Sequence, residues 1–284
     1  MNTDQTGGRH GSGSSLARRP QMRRAYADVP AGQIHYVEEG EGKPVLLLHQ
    51  SPRSWTEFRE VLPLLGRTHR AIAMDTLGYG ASSAPLPPAG GPPGESVEAY
   101  ADGVVQLFDA LGIERAALVG HHTGGVIAVE VAAVHPDRVE KIVLSCTPLV
   151  DAEGRTQRPR VDHAEVHEDG DHLLELWRAR QPYYPPGRPD LLEAFIVDAL
   201  TAGTRRHEGH AAVARYAMET RLPRLRCPVM AVGAPGDVAY RDLPRWAAAV
   251  PGIRIEEIKG GMVPLPDHLP EEFTDVVRDF LDAA

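Results

Sequence analysis

The stretch Gly120-His121-His122-Thr123-Gly124-Gly125 limits this chain more than any other. An apolar run, Ala116-Ala117-Leu118-Val119, precedes it, and apolar residues at helical spacing follow over residues 126–134. A strand that turns into a helix over so few residues crowds its own backbone. A Cβ on either side of the turn would clash, so glycine flanks it. The residue between the glycines then stands clear of the end of the sheet. Here that residue is His122.

Strand character recurs along the chain. Val45-Leu46-Leu47-Leu48 is a continuous apolar run, as expected of a strand covered on both faces. Further strands are predicted at residues 71–74, 139–146, 229–233 and 253–258. Residues 24–29 and 33–39 alternate enough for a hairpin joined by Pro30-Ala31-Gly32. Helical spacing predicts helices at 55–65, 97–111, 242–250 and 271–281, with Gly112 capping the second. Strands that alternate with helices imply an α/β fold with a mostly parallel, doubly wound sheet. Residues 151–223 break the pattern: they hold no buried-strand run, only helical pieces at 172–180, 191–202 and 210–219. The expected organisation is a disordered leader at 1–23, a core of 24–150 and 224–284, and an inserted helical cap at 151–223.

Composition narrows the function classes. The net charge is -9, yet the first 24 residues hold five Arg and one Asp, so the rest of the chain carries -13. An acidic body of that size argues against nucleic acid as a partner. Apolar runs fall far short of the roughly 18 residues that a membrane span needs. The leader lacks an apolar segment and is not a secretory signal. Cys146 and Cys227 are placed at opposite edges of the sheet, which predicts no disulfide and fits a reducing, cytoplasmic setting. The expected partner is a small-molecule substrate or ligand, with a homodimer left open and neither nucleic acid nor membrane.

Three motifs in fixed order resemble the α/β-hydrolase fold superfamily over about residues 24–284, and its capped, epoxide-hydrolase and dehalogenase-like branch in particular. His49-Gln50-Ser51-Pro52 resembles the H-G-x-P turn, with Gln50 where glycine is usual. Asp75-Thr76-Leu77-Gly78-Tyr79-Gly80-Ala81-Ser82 matches D-x-x-G-x-G-x-S. The turn around His122 matches the nucleophile elbow G-x-S-x-G except at its central residue. The resemblance implies an oxyanion hole made by the backbone N–H groups of Ser51 and Thr123. It also implies an acid after the strand at 229–233, for which Asp237 is the candidate and Asp151 the alternative. The base histidine of the family falls at Met262 or Val263, neither of which is histidine, and His268 lies a few residues on. The pocket-shell candidates are His49, Gln50, His121, Met262 and Val263, with Trp177, Tyr183 and Tyr184 as an aromatic wall from the cap.

Two of the three triad positions therefore change together. A serine needs a base because its hydroxyl is a poor nucleophile at neutral pH, whereas a neutral imidazole needs none. Three roles for His122 stay open: a general acid or base, a nucleophile forming an acyl-imidazole, or a ligand-binding residue in a chain without catalysis. The first implies cofactor-free lyase, isomerase, decarboxylase or cyclase chemistry on an apolar carbonyl- or ester-like compound, with Asp237 orienting or charge-stabilising a histidine if it lies close enough. The second keeps hydrolysis with non-standard machinery. No metal is expected: His163-Ala164-Glu165-Val166-His167 has its glutamate misplaced for H-E-x-x-H.

Overall fold

Alternate residues of the central strand β3 (Pro44–Leu48) serve different halves of the core. Leu46 and Leu48 join the cluster on one face of the sheet, and Val45 and Leu47 the cluster on the other. Both faces are covered, so every position must be apolar. Each such side chain stabilises the fold by roughly 1.5–3 kcal/mol. The structure, a computed structural model, describes residues 22–85, 96–157 and 166–283.

The hairpin β1 (Arg23–Val29) and β2 (Gly32–Glu39) begins an eight-stranded sheet. It continues with β4 (Arg70–Met74), β5 (Ala116–His121), β6 (Val139–Ser145), β7 (Val229–Gly233) and β8 (Arg254–Glu257). The spatial order is β1-β2-β4-β3-β5-β6-β7-β8. The pairs β1·β2 and β2·β4 are antiparallel and the rest are parallel, as the alternation of elements predicts. Cys146 follows the C-terminal end of β6 and Cys227 precedes the start of its neighbour β7; both thiols are free.

Helices lie on both faces. The predicted helix at 55–65 is interrupted: a 3-10 turn at Trp55–Phe58 precedes α1 (Val61–Leu65). Pro63 has no N–H to return to the carbonyl of Arg59, so one helix cannot run through both pieces. On the opposite face α2 (Val97–Ala110) starts where the Ser96 side chain accepts from Ala99 N–H, and Gly112 at φ 64° ends it. Helix α3 (Thr123–Val134) is buried from Thr123 to Ala133, which explains why it is almost wholly apolar; its one charged residue, Glu130, accepts from Tyr216 and Arg221. Asp75, at the end of β4, accepts from the N–H groups of Trp55 and Ala81 and pairs with His35. The D-x-x-G-x-G-x-S turn is thus held by its own first residue.

Between β6 and β7 the described residues form no strand. They carry α4 (Ala152–Gln157), α5 (Asp171–Arg180), α6 (Pro189–Ala202) and α7 (Glu208–Arg215), of which α4 was not foreseen. The core then resumes with α8 (Leu243–Ala249), the short α9 (Leu265–His268) and α10 (Pro270–Asp282). The leader expected at 1–23 lies outside the described residues except for Met22 and Arg23, and Arg23 already begins β1. The His163–Glu165 part of the rejected metal motif lies outside them too.

A fully buried arginine ties the insertion to the core. Arg53 donates from Nε to Asp198 on α6 at 2.7 Å and from Nη1 to Asp267 on α9 at 2.8 Å. Glu57 stands 3.8 Å away. A second tie runs from α7, where Gly209 N–H donates to the Tyr79 hydroxyl at 2.7 Å. Gly209 sits so close to Ser51 that a Cβ there would meet Ser51 Oγ at 2.0 Å.

Candidate active site

His122 occupies the elbow with φ 48° and ψ −112°. Only Cys146 shares a positive φ with it among the described residues other than glycine. Such a conformation costs on the order of 1–3 kcal/mol and persists because the neighbours enforce it. A Cβ on Gly120 would lie 2.3 Å from Gly125 N, and one on Gly124 would lie 2.0 Å from the carbonyl oxygen of Leu48. The glycine requirement inferred from the motif is therefore steric and comes from β3 as well as from the turn itself.

The turn brings His122 to Asp237, in the loop after β7. His122 Nε2 donates to Asp237 Oδ2 at 2.7 Å, and Asp237 Oδ1 accepts from Ala239 N–H at 2.7 Å. Asp237 thereby fixes the imidazole tautomer: the proton is on Nε2, and Nδ1 carries the lone pair. Nδ1 has no hydrogen-bond partner among the described residues. Burial pulls the His122 pKa down, but the charge of Asp237 and its hydrogen bond outweigh that, and the net shift is upward. For Asp237 burial pushes up, and the His122 charge and bond bring it below its ordinary value. Cys146 sits beside the same carboxylate; burial, then Asp237, raise its thiol pKa and keep it protonated.

His121 plays a different part. Its Nε2 donates to the Val263 carbonyl at 2.8 Å, so its Nδ1 accepts from the Ser145 hydroxyl at 2.9 Å. Burial lowers its pKa and holds it neutral. His121, His122 and Asp237 lie close enough together to offer a cation three ligand atoms. Both ring nitrogens of His121 are already bound, however, and a cation would have to break those hydrogen bonds.

A cavity of about 350 Å³ opens beside His122, with Gln50, Thr123, Tyr183 and Val263 in its walls. Thr123 begins α3, and its N–H is among the first-turn donors that a helix leaves without an internal acceptor. Several expected pocket residues are elsewhere. His49 is buried in its own turn: Nδ1 donates to the Gln50 carbonyl and Nε2 accepts from Thr76 N–H. Ser51 is covered by Gly209 and lies outside the cavity walls. Trp177 and Tyr184 face a separate depression, and Tyr184 packs on Phe195 within the insertion. Met262 pairs with Gly236 and His121 is fully buried, so neither reaches the cavity. Gln50, the residue in place of glycine, is locked by Glu57, which accepts from its backbone N–H at 2.8 Å and from its side-chain amide at 2.5 Å.

Neither alternative residue enters. Asp151 pairs with Arg245 and accepts from Gly154 N–H. His268 is on α9, and it lines no part of this cavity. Of the two positions where the resemblance puts the base, Met262 and Val263, only Val263 lines the cavity, and its N–H donates to Tyr183 O at 3.3 Å. Arg180, Arg241 and His210 line the cavity without having been anticipated. For Arg180 a signal existed: an arginine ending a predicted helix just before Tyr183-Tyr184.

A family model for the alpha/beta hydrolase fold matches residues 43–221, more than half of the chain. The bifunctional epoxide hydrolase 2 of Sus scrofa is 31% identical over 167 residues, which are 51% of this chain and 29% of that protein. Haloalkane dehalogenase 2 of Mycobacterium bovis (strain ATCC BAA-935 / AF2122/97) is 36% identical over 120 residues, 42% of this chain and 40% of that one. The chain thus spans less than half the length of these curated relatives. The crystal structure of the enol-lactonase from Burkholderia xenovorans LB400 superposes with a TM-score of 0.74 at 24% identity, covering 91% of this chain and 100% of that one. That is a likeness of fold. With the sheet order, the elbow and the family match in agreement, the chain belongs to the α/β-hydrolase-fold family.

Proposed function

We propose that His122 and Asp237 form a catalytic dyad in which His122 Nδ1 is the general acid–base, acting on a small apolar carbonyl- or ester-like compound. The observation that carries this is the 2.7 Å bond from Nε2 to Asp237. It spends one ring nitrogen on the acid and leaves the other as the basic atom of a ring that lines the cavity. In the family a separate histidine stands between acid and elbow. Here the elbow histidine reaches the acid directly, so base and elbow are one residue, and a histidine at Met262 or Val263 is not required.

The chemistry is proton transfer. Nδ1 takes a proton from the carbon next to a carbonyl, and the electron pair moves onto the carbonyl oxygen. The Thr123 N–H and the positive end of α3 stabilise that oxygen. Return of the proton to another carbon isomerises the compound; departure of a β-group makes the enzyme a lyase. No cofactor is needed for either. Positioned acid–base catalysis of this kind contributes about 10²–10⁴-fold.

The names of the relatives favour a second reading, in which Nδ1 takes its proton from water and the resulting hydroxide attacks an ester, lactone or epoxide. One experiment separates them. Candidate compounds are incubated with the protein in deuterium oxide and, separately, in ¹⁸O-water, and recovered for mass spectrometry. Deuterium at the α-carbon supports proton transfer; ¹⁸O in the product supports hydrolysis. Both must vanish in His122→Ala. Turnover that survives in that variant overturns the dyad, and a ligand that binds but is recovered unchanged makes the protein a binding module.

A further inference from the structure

Among the described residues, the cavity beside His122 carries a positive charge that no carboxylate neutralises. Arg180, the last residue of α5, lines it together with His122. Among the described residues Arg180 has no carboxylate partner. Its guanidinium lies over the Phe195 ring, 4.6 Å from the centroid, which orients the group without cancelling its charge. Burial lowers its pKa, and the groups that act the other way are the phenols of Tyr184 and Tyr183 rather than an acid.

The remaining charges of the walls do not balance it. Arg241, an exposed residue, adds a second cation to the walls. Among the described residues the one carboxylate in the walls is Asp242, and it is occupied: Oδ1 accepts from Arg245 at 2.6 Å and Oδ2 from Leu149 N–H at 3.1 Å. Asp237 is held by His122 and Ala239. Asp198, Asp267 and Glu57 surround Arg53 and are not among the wall residues, although the Glu57 charge is felt at His122. A half-buried guanidinium without a counter-ion is costly in an empty protein and becomes an asset when a ligand supplies the anion. The planar fork of arginine fits a carboxylate with two parallel hydrogen bonds.

We infer that this cavity selects ligands bearing a carboxylate, seated on Arg180 while the rest of the molecule extends to His122. The substrate class of the proposed enzyme is then a small carboxylic acid that also holds the reacting carbonyl or ester, not a neutral compound. This rests on the preceding reading for the chemistry at His122, but the anion site itself does not.

The test is a matched pair of probes, 3-phenylpropanoate and 3-phenylpropanamide, titrated calorimetrically into the full chain at neutral pH, with hexanoate and pyruvate as acids of other shapes. A charge-assisted pair predicts that the acid binds about 10–100-fold more tightly than the amide. Arg180→Met, which keeps the length of the side chain, should erase that preference, and Arg180→Lys should retain part of it. Thermal melting of each variant identifies a purely structural effect, which would weaken acid and amide alike. Equal binding of acid and amide to the unaltered protein overturns the inference, as does a preference that survives in Arg180→Met or failure of all three acids to bind at millimolar concentration. The pair is also titrated into His122→Ala. An acid preference that persists there, beside turnover that also persists, sinks the proposed dyad and leaves the anion site standing.

Discussion

Replacing Arg53 by methionine tests whether the insertion is held to the core by charge. The side chain is fully buried, and its partners come from three places: Glu57 in the 3-10 turn, Asp198 on α6 and Asp267 on α9. Methionine fills similar volume but leaves three buried acids facing one another without a cation. Removing one partner of a buried ion pair destabilises by about 3–5 kcal/mol, and at roughly 2–4 °C per kcal/mol the melting temperature should fall markedly. The pH dependence sharpens the test. Burial first, with Glu57 adding to it, pushes the Asp267 carboxyl up from 3.8 to about 6 even while Arg53 opposes the shift. A carboxyl raised in the folded state contributes stability that is full below its unfolded pKa and is lost as pH rises through the folded one. Without Arg53 the folded value climbs further, so the variant should suffer most at neutral pH and regain ground towards about pH 5. Urea unfolding followed by far-UV circular dichroism at both pH values measures this. A deficit under about 1 kcal/mol at neutral pH, or one that does not shrink on acidification, would refute the reasoning.

Two further outcomes are expected. If His122 works as a base, activity should rise with pH through the raised His122 pKa. Asp237→Asn removes the charge that raises it, so the rising limb should move to lower pH and kcat should drop by about 10²–10⁴-fold; an unmoved limb would assign the titration to another group. Gly124→Ala sets a methyl group 2.0 Å from the Leu48 carbonyl oxygen, so β3 or the elbow must shift. Soluble yield and melting should collapse, and a normally melting variant would mean that the turn is looser than described.

The centre of the sheet was legible because its strands are covered on both faces and so cannot avoid continuous apolar runs. The elbow was legible because glycine at 120 and 124 has a local steric cause. Asp237 was legible by its distance from β7, and its pairing with His122 was foreseen as conditional on proximity. What sequence could not supply are contacts between residues far apart in the chain. Arg53 looks like an ordinary surface arginine until α6 and α9 close over it from 145 and 214 residues away. Arg180 likewise gains meaning only when α5 folds over His122. Trp177 and Tyr184 misled because aromatic residues in the insertion serve its own small core around Phe195 as readily as they serve a cavity. For Ser51, the motif position says nothing of Gly209 packed against its side chain.

The carbonyl of Val263, engaged by His121, bears on how this site could change over time. A serine triad here would need two coordinated replacements, His122→Ser and a histidine at Met262 or Val263. Serine alone would face no base, and the second histidine alone would leave His122 at the elbow. Neither single step creates a triad. Between the proposed dyad and a serine triad lies a gap that no single mutation spans.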